Sequence, residues 1–398
     1  MRILLMIDWN RGRGGAEAHA LAVRDGLRAA GDEVCLLTSS AGSAGDGTAE
    51  YVAYGTENPA QQALLQIANP LAAATVRRAV REFQPDVVWV NMFAHHLSPA
   101  AVLALGRLPK VLLVTDYKAI CPIGSKLLPD GSVCRQPAGW VCHRSGCLSL
   151  PHWLRDQPRY ALIRSAVQRV DRVLACSHWV QKQLATENVK AEVLYLPTSA
   201  RPRDFRRSPA REPVFLYVGR LDVEKGVDLL LRAFARLSRE FPSARLRLAG
   251  QGPERLKLES LGNSLGIGSR IDFLGWKSPA DLEPLWAEAW ASLAPSLWAE
   301  PQGLVALEAI IRRVPVIASS SGGLAEMIEH GHNGLLFPNG DENALLGNLR
   351  EIASGTVFPE HWLTEEVAAD AAKRFSVKGH IDRLRQIFGE VIGRPGAG

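Results

Sequence analysis

Two carboxylates, Glu300 and Glu308, frame the stretch EPQGLVALEA at residues 300–309. Pro301 and Gly303 lie between them, followed by a short apolar run. A carboxylate accepts paired hydrogen bonds from neighbouring hydroxyls, the pattern presented by sugars and by ribose. Gly303 and Leu304 would offer backbone N–H groups at a helix start, where an anion is favoured. The helix period returns Glu308 to a face beside Glu300, about two turns on. Glu308 also sits among Leu304, Val305, Leu307, Ala309, Ile310 and Ile311, where an unpaired carboxylate is costly. The pair reads as a bracket around a polyhydroxylated ligand, against the plainer reading of a capping acid and a solvated helix residue.

Upstream, FLYVGRLDVEKGVDLLLRAF reads as a strand, a loop and a helix. Gly219 and Arg220 open the loop, and Lys225 and Gly226 close it. Ligands of open α/β sheets bind at the carboxyl ends of strands, and two cations there suit a diphosphate. AGQGP (249–253, with Gln251) and FLGW (273–276, with Phe273 and Leu274) each end a strand, and glycine lets a flat ring lie close to backbone amides. Near the N-terminus, WNRGRGGAEAHALAV places Gly14 and Gly15 between a strand and a helix, where an anion could approach. It is no dinucleotide fingerprint, since no acid ends the second strand.

These loops need a scaffold, and the apolar runs supply one. RILLMIDW, EVCLLTS, DVVWVNMF, KVLLVTD, RVLACSH and EVLYLP alternate with helix-length amphipathic segments. So do PVFLYVGR, ARLRLAG, RIDFLGW, ASLAPS, PVIAS and GLLF. Continuous apolar strands separated by helices predict parallel sheets covered on both faces. The stretch 197–213, rich in proline and arginine, breaks the series and reads as a linker. The chain of 398 residues then divides into domains 1–196 and 212–375. The segment 376–398 holds a last helix, free to close on either domain, and a tail expected to be disordered.

No apolar run approaches the ~20 residues of a membrane span. The first residues read as a strand, because Asp8 interrupts what an export signal would keep apolar. With 46 basic and 41 acidic residues, the formal charge of +5 is too mild to argue for a nucleic-acid partner. The chain is expected in the cytoplasm, and peripheral contact with the inner membrane face stays open, as does the oligomeric state.

Cys35 and Cys176 fall in strand-like runs and read as core thiols. Cys121, Cys134, Cys142 and Cys147 instead share one insertion (121–147) between the fourth candidate strand and a helix near Pro151. A structural zinc on four thiolates, an iron–sulfur cluster, and free thiols or disulfides all remain open, with disulfides disfavoured in a cytosolic chain. His143 could replace one thiolate.

Taken in order, GGAEAH, GRLDVEKGVDLLLRAF, AGQGP, FLGW, PSLWAEPQGLVALEAI and PVIASSSGGLAEMIEHGHNGLLF resemble the retaining glycosyltransferases of family 4. The likeness is dense over 213–340 and sparse over 40–110. It implies the GT-B fold, an α/β architecture of two Rossmann-like, doubly wound domains facing each other across a cleft. It further implies a nucleoside-diphosphate sugar as donor, UDP- or GDP-linked, a hydroxyl acceptor and no catalytic metal, in keeping with the absence of any Asp-x-Asp triplet. By matching motifs, Gly219, Arg220, Lys225 and Gly15 would meet the diphosphate, and Glu308 the ribose. Glu300 would meet the transferred sugar, with Gly303 and Leu304 supporting sugar or phosphate, and Gln251, Phe273 and Leu274 would lie on the nucleotide side. Arg220, Lys225, Glu300 and Asp116 are the catalytic candidates.

The chain departs from the family pattern in places. Thr115 stands where many relatives carry a histidine, with Asp116 following. His95 and His96 in a neighbouring loop could substitute, although a loop histidine is commonly solvated. Gln302 stands where an aromatic is usual, and IIRRVPV replaces a small-residue turn. A sugar-nucleotide epimerase on the same fold and a non-catalytic nucleotide-sugar binder are the rival readings.

Overall fold

A computed structural model describes residues 1–9, 15–41, 48–198, 200 and 208–393. The glycine-rich turn up to Gly14, most of the arginine-rich linker, and the tail beyond Gly393 lie outside the described residues. The chain forms two compact units. The first takes Met1–Asp130, Cys134–Pro197 and the segment from Val377 onward. The second takes Gly131–Val133 and Thr198–Ser376.

In the first unit the strands are β1 (Arg2–Met6), β2 (Glu33–Ser39), β3 (Tyr51–Ala53), β4 (Val87–Val90), β5 (Lys110–Val114), β6 (Arg172–Ala175) and β7 (Glu192–Val193). They form one sheet in the order β3-β2-β1-β4-β5-β6-β7, every pairing parallel. β4 and β5 are buried along their whole length, as expected of strands covered on both faces. The three-residue strand β3 escapes the sequence reading, being too short to show a pattern.

The second unit repeats the plan with β8 (Val214–Val218), β9 (Arg245–Ala249), β10 (Ile271–Gly275), β11 (Ala291–Ala294), β12 (Val316–Ser319) and β13 (Gly334–Phe337). Their order is β10-β9-β8-β11-β12-β13, again all parallel. The helix Val227–Glu240 buries Leu230, Phe234 and Leu237 against Phe215, Leu246 and Leu248. Each sheet is doubly wound and has one point where the strand order reverses, between β1 and β4 and between β8 and β11. Loops leaving the two strands of such a point diverge and open a crevice at the carboxyl edge.

The last helix, Val377–Ile392, belongs to the first unit. Ile381 packs so closely on Gly26 that a Cβ there would come within 2.2 Å of its terminal carbon. Arg172 bonds both Glu192 and Glu390, and Arg383 bonds Glu192. His380 on this helix is buried, bonds the Tyr195 carbonyl through Nδ1 at 2.9 Å, and faces His19 edge-on with ring centroids 5.2 Å apart. Neither nitrogen of His19 has a hydrogen-bond partner among the described residues.

Burial holds both rings neutral, His19 well below the usual histidine range and His380 down to about 4. The unfolded chain therefore takes up these protons first. Stability should fall as the pH drops from about 6.5 toward 4. Burial raises the carboxyls of Glu17, Asp116 and Glu308, which act in the opposite sense, so the test is a comparison of variants. In denaturant titrations, His380→Asn should be flatter with pH than the wild type over that window. Parallel profiles would show that the pair contributes nothing.

Candidate functional site

The loop after β8 and the loop after β11 meet at the reversal point of the second sheet. Lys225 extends its ammonium to Glu300 Oε1 at 2.6 Å, and Ser296 Oγ donates to the same oxygen at 2.6 Å. The Lys225 ammonium also lies 5.1 Å from the centre of the Trp298 ring. Burial alone would raise the Glu300 carboxyl, but Lys225, Ser296 and Trp298 outweigh it and hold the group below the ordinary range. Glu300 is thus ionised and held in position. The loops are further tied by Leu297 N–H donating to the Glu224 carbonyl at 2.9 Å. Gly226, at φ 65°, permits this approach, since a Cβ would fall 2.2 Å from the Pro295 carbonyl oxygen.

Arg220 leaves the end of β8 with its guanidinium largely exposed, 2.5 Å from Asp222 and 3.0 Å from Glu224. Its charge is already shared between two carboxylates, a pairing the sequence reading did not foresee. Gly219 N–H bonds the Ala249 carbonyl, and Leu221 N–H bonds the Gln251 carbonyl. The ends of β8 and β9 are thereby locked side by side, and β10 continues the edge with Gly250 N–H donating to the Gly275 carbonyl at 2.8 Å. Phe273 packs against the apolar core, so it turns its backbone rather than its ring to this edge. Leu274 is half-buried and Gln251 exposed.

The helix bearing Glu308 runs Leu304–Ile311, with Gly303 at its N-cap in the left-handed region at φ 88°. A side chain at Gly303 would be strained there and would press on Leu324. Glu308 is half-buried, and burial raises its carboxyl, with Arg312 opposing. Arg312 spends its guanidinium on Glu283 at 2.6 Å. No hydrogen bond to the Glu308 carboxylate exists among the described residues. Gln302 is buried.

The reversal point of the first sheet is held by Asp8. Its carboxylate accepts the backbone N–H groups of His95, His96 and Leu97 at 2.8–2.9 Å. Asp116 sits at the end of β5, accepts Lys118 N–H at 2.9 Å, and is raised by burial. Asp8, Asn91, Thr115, Asp116 and Lys118 line one recess. Lys118 lies 4.8 Å over the Trp9 ring, and Trp9 in turn contacts both His95 and His96. Neither histidine is solvated as loop histidines commonly are: His96 is buried, and His95 is half-buried with Gln62 at 2.9 Å. Burial and then Lys118 bring His95 down to about 4, so it is neutral at pH 7. Gly15 begins the helix Gly15–Ala29, on which Glu17 is buried and raised.

Two family models match successive parts of the chain, a glycosyl transferase 4-like domain over residues 14–198 and glycosyl transferases group 1 over residues 200–365. The chain belongs to the family 4 type of GT-B glycosyltransferases. It is 38% identical over 177 residues to an uncharacterized glycosyltransferase of Methanocaldococcus jannaschii, covering 44% of each chain. It is 26% identical over 245 residues to the alpha-D-kanosaminyltransferase of Streptomyces kanamyceticus, covering 60% of this chain and 59% of that one. It therefore spans about half the length of these curated relatives. The crystal structure of Anabaena HepE in complex with UDP superposes with a TM-score of 0.74, at 21% identity, over 98% of this chain and all of the other.

In this family 4 chain, the sequence reading passed over Asp8, Glu17 and Lys118 as site residues. The available signal was an acid interrupting an apolar strand and another inside GGAEAH. The four thiols of the cysteine insertion are free, with Cys121 and Cys142 buried and Cys134 and Cys147 half-buried. They lie near enough to act on one another, and burial pushes Cys142 and Cys147 up. The buried Lys126 ammonium stands beside them and donates to the Gln136 carbonyl at 2.6 Å. His143 bonds the Leu148 carbonyl through Nδ1. Among the described residues no three His, Cys, Asp or Glu side chains are arranged to hold a metal ion.

Elemental analysis tests the zinc expectation. About one zinc per chain, with the four loop thiols unreactive until a chelator is added, would support it. A metal-free chain in which Cys134 and Cys147 react ahead of Cys121 and Cys142 would reject it.

Proposed function

We propose that the protein is a retaining, metal-independent glycosyltransferase. It moves a sugar from a UDP- or GDP-linked donor to a hydroxyl of a saccharide, lipid-linked or small-molecule acceptor. The observation that carries this reading is the meeting of Lys225 and Glu300, 2.6 Å apart, at the reversal point of the second sheet. The UDP bound by Anabaena HepE, a chain of like fold, supports a nucleoside diphosphate as the ligand.

An ammonium has three donors. Lys225 spends one on Glu300 and keeps the rest for diphosphate oxygens, and Arg220 can turn part of its fork from Asp222 and Glu224 to the same group. These fixed cations and the helix start at Gly303 and Leu304 stabilise the departing nucleoside diphosphate. Glu300, kept ionised, accepts from hydroxyls of the transferred sugar. Glu308, with no bonded neighbour, accepts from the ribose hydroxyls. Gln251, Phe273 and Leu274 border the base along the strand edge, and Gly219 closes the turn beside the diphosphate. In the first unit, Gly15 keeps the anion role and Asp116 a role toward the acceptor. In the reaction, the bond from the anomeric carbon to the diphosphate oxygen breaks. The acceptor oxygen bonds to that carbon on the same face, and its proton passes to the departing phosphate oxygen.

Lys225→Ala should weaken UDP binding by about ten-fold or more, since a charged hydrogen bond is worth roughly 1.5–3 kcal/mol. Affinity equal to that of the wild type would sink the diphosphate assignment. Glu308→Gln should weaken UDP binding with the fold intact, whereas Glu300→Gln should lower turnover with UDP affinity nearly kept. An identical defect in both would remove this division of roles. Incubation with a nucleotide-sugar panel should release free nucleoside diphosphate, while an epimerised nucleotide sugar would overturn the transferase reading.

A further inference from the structure

Among the described residues twelve large apolar side chains stand exposed, and four of them fall in one corner of the first unit. These are Ile123 (43%), Trp140 (54%), Leu150 (43%) and Leu154 (56%). They are close in space as well as in sequence. Leu150, Trp153 and Leu154 share one stripe at the start of the helix Leu150–Gln168, by the three- and four-residue spacing. Trp140 meets Trp153 edge-on with ring centroids 4.9 Å apart. Trp153 is anchored by Nε1 donating to the Gly139 carbonyl at 2.9 Å and by packing on Ala138, Cys142 and Tyr160. Ile123 follows Pro122, which lines the same recess as Trp153. The insertion thus builds a small core of its own and turns the remaining apolar side chains outward.

The charge of the same segment selects what covers it. Residues 117–155 contain five Lys and Arg and a single acid, Asp130, but Lys126 is buried and Lys118 lies in the Asp8 recess, so three arginines carry the charge of this face. Arg135, Arg144 and Arg155 are exposed, Arg144 beside the loop of Trp140, Arg155 on the helix of Leu154 and paired with Asp156, and Arg135 over the Trp179 ring. The N-terminal end of the Leu150 helix adds its partial positive charge, and Ser149 makes no side-chain cap hydrogen bond there. An apolar stripe with interfacial tryptophans and more exposed arginines than acids matches the boundary between acyl chains and anionic headgroups. Among the described residues no helix is long and apolar enough to cross a membrane. We infer that this face, formed by the cysteine insertion and the start of the Leu150–Gln168 helix, docks the protein on the surface of an anionic lipid bilayer. The inference is independent of the proposed transfer chemistry and of any metal in the loop.

Co-sedimentation of the full chain with lipid vesicles tests it. The wild type should partition onto vesicles of mixed phosphatidylglycerol and phosphatidylcholine, and poorly onto phosphatidylcholine alone. Binding should fall as salt rises, because the headgroup attraction is screened. Leu154→Ser and, separately, Arg144→Glu should each reduce partition several-fold, together about ten-fold or more. Both side chains are exposed, so thermal unfolding should match the wild type and show that the variants fold. Four outcomes overturn the inference: no vesicle binding by the wild type, equal binding to neutral vesicles, equal binding by the double variant, or a concentration-dependent dimer that the variants abolish while vesicles stay unbound. Protection of Trp140 fluorescence by a soluble oligosaccharide, without vesicle binding, would assign the face to a glycan instead.

Discussion

Parallel strands cannot be joined by tight turns. Each connection must cross back over a face of the sheet, and the faces are thereby covered. Both sheets of this protein obey that constraint without exception, and both wind outward from a central strand, β1 or β8. The reversal leaves one carboxyl edge where neighbouring loops part. The chemistry-bearing side chains of each unit lie there because the parted loops open a crevice at that edge. Asp8 and Asp116 in the first unit, and Arg220, Lys225 and Glu300 in the second, are consequences of strand order before they are anything else.

Charge is held in the same economical way at these edges. Lys225 is matched by Glu300, and Arg220 by Asp222 and Glu224. A cation kept beside a carboxylate is oriented and partly desolvated, yet retains donors for an incoming anion. Glu308 is the contrasting case. It is half-buried and without a bonded neighbour, which costs stability in the empty protein. Such a cost is in keeping with the proposed role of Glu308 toward a ligand.

The strands were legible because their apolar runs are continuous, and twelve of the thirteen announced themselves that way. β3 did not, since Tyr51–Ala53 is shorter than any pattern. In the candidate site the individual residues Lys225, Glu300 and Glu308 were legible from their loops and from the glycines beside them. Their pairing was not, because 75 positions separate Lys225 from Glu300 and only strand order brings them together. Asp8 was harder still. It read as a break in an apolar run, whereas its work is to hold backbone groups of a loop 87 to 89 positions away. His95 and His96 look solvated in sequence because burial by Trp9 and Gln62 is a tertiary fact.

The first unit closes only with the helix Val377–Ile392, and nearly all of the second unit, Thr198–Ser376, is threaded between that helix and the rest of the first. During synthesis the chain must therefore leave one domain unfinished while it makes the other. Gly26 and its neighbours on the helix Gly15–Ala29 wait for Ile381 until the last stretch emerges from the ribosome. The second unit, continuous apart from Gly131–Val133, can complete itself in the meantime. The apolar groove that receives the helix Val377–Ile392 stays uncovered until that helix has been made, which leaves apolar surface of the first unit open to aggregation during synthesis.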